Sequence, residues 1–346
     1  MVEIGDHLHA SGTTPVLFYQ SKKFPFGDRP FQRVQVDTLL GSAPEYFASI
    51  GEKISAACLT DAPGIFIEDT YPSRLQLHPG IAKFLVVRPT SFSYLLSLRT
   101  RYGNTYEGYL MADAGGSPTW PYTPEETATI RNWKEFHEVG PIFRRATPAG
   151  IKKLQQKYGW QEDVPQFVFS MGGGGQHEGA NDVGNFLEQS AALAPKIRER
   201  YPQARLLFVK GPLYPVDAPV PQGFEIVAAE EDMPSLFAIA TMAVIRPGFN
   251  SIWECIYGQT PFYYVEGTTY SEPINEKINV LKAQGLASNE EALDEDYHRR
   301  FRKACQAVLD RWNGRPTEVF MQVIEQGSRQ ATQRYREAAG DTNHTS

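Results

Sequence analysis

Cysteine is scarce: 346 residues hold three, Cys58, Cys255 and Cys305, with no C-x-x-C pair among them. That excludes a disulfide framework and a cysteine zinc site, and it suits a reducing compartment. No apolar run approaches the roughly 20 residues that a membrane-spanning helix needs, and no signal-peptide pattern opens the sequence. A cytoplasmic protein is expected, with peripheral membrane contact left open. No block of Lys or Arg stands out and the net charge is −6, so no nucleic-acid partner is expected. What remains is ordinary globular composition, 41% apolar and 21% charged, in a chain long enough for two domains.

Short apolar runs alternate with helical patterns along most of the chain. In the first half the strand-like runs are Pro15–Ser21, Phe31–Asp37, Gly64–Asp69 and Ala82–Pro89. A helical stretch lies near Ala43–Ile54, and the opening segment (Val2, Ile4, Leu8, Ala10) has helical spacing. A parallel α/β unit should open on a strand, so the sequence is expected to begin after its first strand and loop. Tyr109–Thr127, rich in Gly and Pro, reads as an ordered loop whose Trp120 and Tyr122 pack internally or line a ligand site. Ala146–Gln166 reads as a polar junction between domains. Beyond it the alternation is regular: QFVFSM, a helix, LLFVKG, FEIVAA, a short helix, MAVIRPG, a helix, PFYYVEG, then a helix stopped by Gly285. A long helix closes the chain from Pro316, with proline in its first turn.

Three segments of this second half carry chemistry. FVFSMGGGG joins an apolar strand to consecutive glycines, where backbone N–H groups can approach an anion at a helix start. It does not fit the dinucleotide pattern G-x-G-x-x-G, and no acid ends the next strand, so a nicotinamide site is not expected. VIRPGFNSIWE places a second glycine turn before a helix that Asn250 or Ser251 would cap, with Glu254 one turn in. A carboxylate there can accept hydrogen bonds from a ribose diol, although acids in a first helical turn are common without any ligand. EPINEKINVLKAQG spaces Glu272, Asn275, Glu276 and Asn279 along one helix face, which is equally a solvated face.

The order of these segments over Gln166–Ser288 resembles the C-terminal half of GT-B glycosyltransferases. The nearest resemblance is to the family typified by the N-acetylglucosaminyltransferase that forms lipid II. The resemblance implies an α/β fold of two Rossmann-like domains, with an acceptor-side domain over 1–150, a donor domain over 151–325, and a helix and tail over 326–346. It implies an enzyme that transfers a sugar from a nucleoside-diphosphate sugar, UDP-linked, to an acceptor that stays unidentified. The nucleotide sugar is a co-substrate, and no separate cofactor is implied. Gly172, Gly173 and Gly174 then resemble the turn beside the donor phosphates, and Val227 the position whose backbone pairs with the base. Gly248, Asn250 and Ser251 resemble the pyrophosphate turn, Glu254 the ribose acid, and Glu276 and Asn279 the residues that contact the sugar. Glu276 stands where the family carries Gln, and Phe249 where it carries a small residue.

The first half resembles the family in layout only. His7 and His9 are not expected to be catalytic. Asp69, ending one strand, and Arg88, ending the next, fall at the edge where a parallel sheet places its cleft, so Asp69 is the candidate base or acceptor ligand. No metal is expected: none of the three segments holds a D-x-D pair, and helix N-termini can stabilise a departing phosphate. The same donor half would serve a nucleotide-sugar hydrolase or epimerase, or a non-catalytic donor-binding subunit.

Overall fold

The computed structural model describes residues 16–19, 32–35, 52, 64–69, 72, 75, 77–78, 80–172, 180–211, 214, 218–267, 272–312 and 315–338. Outside them lie Cys58, Gly173, Gly174, the stretch 1–15 with His7 and His9, and nearly all of the helix expected at 43–54.

Three parallel sheets organise the described residues. β1 (Val16–Tyr19) pairs with β2 (Gln32–Gln35). A four-stranded sheet follows in sequential order: β3 (Gly64–Asp69), β4 (Ile81–Val87), β5 (Gly108–Met111) and β6 (Phe136–Glu138). The second half forms a five-stranded sheet from β7 (Gln166–Ser170), β8 (Arg205–Val209), β9 (Glu225–Val227), β10 (Met242–Ile245) and β11 (Phe262–Tyr264), ordered β11-β10-β7-β8-β9. That order reverses between β7 and β10, and in a doubly wound sheet a crevice opens there at the carboxyl ends of the strands.

The strands read as continuous apolar runs because both sheet faces are covered. Along β7, Phe167 and Phe169 face one side with Phe208, Val244 and the helix α4 (Ala180–Arg200), which contributes Phe186, Leu193 and Ile197. Val168 faces the other side with Leu207, Ala243 and Ile245. There it meets α5 (Met233–Ala238), α6 (Phe249–Gly258), α7 (Ile274–Ala283) and α8 (Glu295–Trp312). Gly285 follows α7 with φ 70°, and Leu286 N–H closes back on the Leu281 carbonyl at 2.8 Å, the left-handed stop that the glycine signalled.

The last helix, α9 (Arg315–Ala338), packs on the four-stranded sheet. Its Phe320, Ile324 and Ala331 are buried with Ala82, Phe84 and Leu110, and Arg334 pairs with Glu107 at 2.7 Å. Gly327 permits the approach, because a Cβ there would lie 2.2 Å from Phe84 Cζ.

Two stretches differ from the sequence reading. Tyr109–Thr127 is not a loop throughout. Its first three residues belong to β5, and its last four begin α2 (Pro124–Arg131), where Thr123 and Glu126 form a capping box. The junction Ala146–Gln166 contains α3 (Pro148–Lys157), capped by Thr147 with Pro148 at its first position, where proline starts a helix and does not break one. The helices α1 (Phe92–Tyr102) and α8 are additional to those read from the sequence.

Candidate functional site

The crevice at the switch between β7 and β10 is framed by two glycine turns. Gly172 follows β7 with φ 73°, a conformation that favours glycine, and its N–H donates to Ser170 Oγ at 3.1 Å. A Cβ at Gly172 would come 3.7 Å from Ser251 Oγ, so the β7 turn faces the first turn of α6. After β10 the chain turns at Gly248, whose N–H reaches the Arg246 carbonyl at 2.8 Å.

Gly248 is the N-cap of α6, and no side chain caps the helix. The sequence reading placed Asn250 or Ser251 there, and this is corrected: both lie in the first turn. The first helical hydrogen bond runs from Ile252 N–H to the Gly248 carbonyl at 3.1 Å. The N–H groups of residues 249–251 therefore precede the helical ladder, and with the helix dipole they suit an anion. Gly248 leaves that side open, since nothing lies within 4 Å of a Cβ built on it.

Glu254 lies one turn further along α6 and is 3% exposed. Its Oε1 accepts from Arg144 Nη2 at 3.0 Å, and Arg144 Nη1 donates to the Glu231 carbonyl at 2.6 Å. The connector between the sheets thus clasps both α6 and the segment after β9. Burial raises the Glu254 carboxyl to about 7, against the opposing pull of Arg144.

A charged cluster joins the ends of β3 and β4 to the start of α7. Arg88, just past β4, stands 3.4 Å from Asp69 at the end of β3. On α7, Lys277 is 0% exposed and its Nζ binds Glu272 Oε2 at 2.6 Å. Burial alone would raise Glu272, but Lys277, Arg88 and Arg246 outweigh it and hold the carboxyl below its usual range. The two halves are also tied directly. Trp253 Nε1 on α6 donates to Thr119 Oγ1 at 2.8 Å, and that hydroxyl donates to Asp113 Oδ2 at 2.6 Å. Asp113, at the end of β5, is fully buried, and burial raises it to about 6 despite donors from Ser117, Thr119 and the Ala114 N–H.

The sequence-derived candidates do not all come together. Gly172, Gly248, Asn250 and Ser251 come together at the crevice, with Glu254 behind them. Val227 ends β9 at the sheet edge, and its carbonyl already accepts Lys210 N–H at 3.0 Å. Glu276 and Asn279 are exposed on α7. Trp120 and Tyr122 are core residues, packed edge to face at 4.9 Å, with the Tyr122 hydroxyl accepting Thr90 N–H. Sequence reading missed Arg144, Asp113, Thr119 and Lys277. For Lys277 a signal existed: it shares the helical stripe of Ile274, Ile278 and Leu281, where a lysine is out of place without a partner. The single D-x-D string, Asp294-Glu295-Asp296, begins at the N-terminus of α8, where Asp294 Oδ1 accepts Asp296 N–H at 3.0 Å. Among the described residues no group of His, Cys, Asp and Glu is arranged to hold a metal, and no helix is long and apolar enough to cross a membrane.

No family profile and no curated protein matches this sequence. Solved structures match over nearly its whole length. CalG4, the calicheamicin glycosyltransferase, is 15% identical with a TM-score of 0.53, covering 93% of this chain and 92% of its own. The spinosyn forosaminyltransferase SpnP is 9% identical with a TM-score of 0.60, covering 94% and 95%. Os79 from O. sativa, in complex with UDP, is 12% identical with a TM-score of 0.58, covering 95% and 97%. At these identities the likeness is one of fold: two Rossmann-like α/β units in the GT-B arrangement.

Proposed function

We propose that the chain is a glycosyltransferase that takes a sugar from a nucleoside-diphosphate donor, UDP-linked, and passes it to an acceptor hydroxyl. The observation that carries this reading is the meeting of the Gly172 turn with the uncapped start of α6 at the switch point, in a fold shared with sugar transferases. Residues 151–325 would bind the donor and 1–150 the acceptor, with the closing helix and tail over 326–346. By motif order the donor half resembles the family of the lipid II-forming enzyme.

In this reading the diphosphate lies against the N–H groups of residues 249–251, with Gly172 and Ser251 on either side. The ribose reaches Glu254 where Arg144 now binds. Glu276 and Asn279 reach the sugar, and the edge at Val227 meets the base. The acceptor oxygen bonds to the anomeric carbon while the bond from that carbon to the phosphate oxygen breaks, its electron pair leaving with the nucleoside diphosphate. The acceptor's proton passes to a carboxylate, the role assigned to Asp69, which lies 3.4 Å from Arg88. Negative charge growing on the leaving group is met by the α6 N-terminus and by Arg88, Arg246 and Lys277, without a metal.

A thermal-shift panel of UDP, GDP, dTDP and their sugars tests the reading. Stabilisation by one nucleotide class, strongest for UDP, is expected. If none of them raises the melting temperature, the donor assignment falls.

A further inference from the structure

A cavity of about 230 Å³ is lined by the sequence neighbours of the Arg144 clasp, Phe143 and Arg145 on the connector and Trp253 on α6. It lies between the connector (Phe143, Arg145), α6 (Trp253, Tyr257) and the last turns of α8 up to Trp312. None of these residues belongs to the donor crevice proposed above. At this volume it is smaller than a drug-sized pocket and suits a single-ring molecule.

Its walls are aromatic and already aligned. Phe143 stacks on Trp253 at 5.3 Å and 17°, and Tyr257 tilts against Phe143 at 5.8 Å. One wall carries an unused donor. Trp312 is 8% exposed, and its Nε1–H has no hydrogen-bond partner. A buried indole N–H ordinarily finds one, because leaving it unpaired is costly.

The lining carries one cation, Arg145, and one acid, Asp310. Arg145 is exposed, and its guanidinium lies 5.7 Å from the rings of both Phe143 and Tyr257. Among the described residues it makes no ion pair. Arg311 lies over the Trp312 ring at 5.6 Å. Arg311 is outside the lining and donates to the Gly116 carbonyl at 3.3 Å, while the lining acid Asp310 is engaged, its Oδ1 accepting the Gln306 amide at 2.7 Å.

From this arrangement we infer that the cavity is a second ligand site, for a small planar aromatic carboxylate. The ring lies among Phe143, Trp253 and Tyr257, the carboxylate pairs with Arg145, and an oxygen of the ligand accepts the Trp312 N–H. Because Trp253 also donates to Thr119, occupancy bears on the contact that ties the two halves together.

Calorimetric titration of the full chain with benzoate and 4-hydroxybenzoate tests the inference, with benzylamine as the same ring of opposite charge. Single-site, saturable binding of the carboxylates is expected, with benzylamine at least about tenfold weaker. Trp312→Phe keeps an aromatic side chain and removes the donor, at some cost in stability because Trp312 is buried, and Arg145→Met removes an exposed charge; each should weaken benzoate by about tenfold while the variant stays folded. Absence of saturable benzoate binding, equal binding of benzylamine, or undiminished benzoate binding in either folded variant would overturn the site. Nucleotide binding plays no part in these titrations, so they fail or succeed independently of the donor assignment.

Discussion

Replacing Glu254 with Gln isolates the electrostatics of the clasp. The carboxyl is displaced from 4.5 to about 7 by burial, with Arg144 recovering only part of the lost hydration. A displacement of that size corresponds to about 3 kcal/mol between its protonated and ionised forms. The sign follows from proton counting. Below the ordinary carboxyl value both folded and unfolded chains hold the proton, and Glu254 imposes no penalty. As the pH rises, the unfolded chain releases its proton first, so stability falls until the folded carboxyl ionises near 7 and then levels off. Gln at this position does not titrate, and its amide oxygen can still accept from Arg144. The stability of the variant relative to the parent should therefore rise by about 3 kcal/mol between about pH 4.5 and about pH 8. Asp113 titrates in the same window in both proteins and cancels in the difference. Urea unfolding followed by tryptophan fluorescence across this range gives the measurement. A difference that does not change with pH, or one that favours the parent at high pH, would show that Arg144 and not burial governs the carboxyl.

Three further substitutions test other joints of the structure. Thr119→Val deprives both Trp253 Nε1 and Asp113 of a partner and should cost about 1–3 kcal/mol in chemical denaturation, with Thr119→Ser restoring most of it. Gly327→Val drives a side chain into Phe84 and should lower stability by about 1–3 kcal/mol; an unchanged melting temperature would mean that α9 is not seated on β4. Lys277→Met removes a buried cation from the crevice and should weaken UDP by about tenfold or more in calorimetry, while unchanged affinity would remove Lys277 from the diphosphate's surroundings.

Much of the five-stranded sheet is legible in the sequence because its signals are local. QFVFS and MAVI are uninterrupted apolar runs, Gly285 marks a left-handed stop, and Pro316 sits where a helix can begin. β5 is hidden because it opens on Gly108 and runs straight into a Gly/Pro-rich stretch, so only burial between β4 and β6 identifies it as a strand. The two turns of the crevice could be read separately, but their mutual approach depends on strand order, which periodicity does not encode. Arg144 and Glu254 are separated by 110 positions, and no spacing rule links them. The same holds for Trp253 and Thr119, 134 apart. Lys277 was the exception, since a lysine on a buried helical stripe is visible without a structure.

Hydrogen–deuterium exchange with and without UDP addresses the donor crevice most directly, because it reports on the backbone N–H groups that would hold the diphosphate. UDP should slow exchange in peptides spanning Arg246–Ile252 and Ser170–Gly172, and leave the middle of α8 unchanged. Exchange at the start of α6 that is unaffected by saturating UDP, or protection confined to other elements, would contradict the placement of the donor.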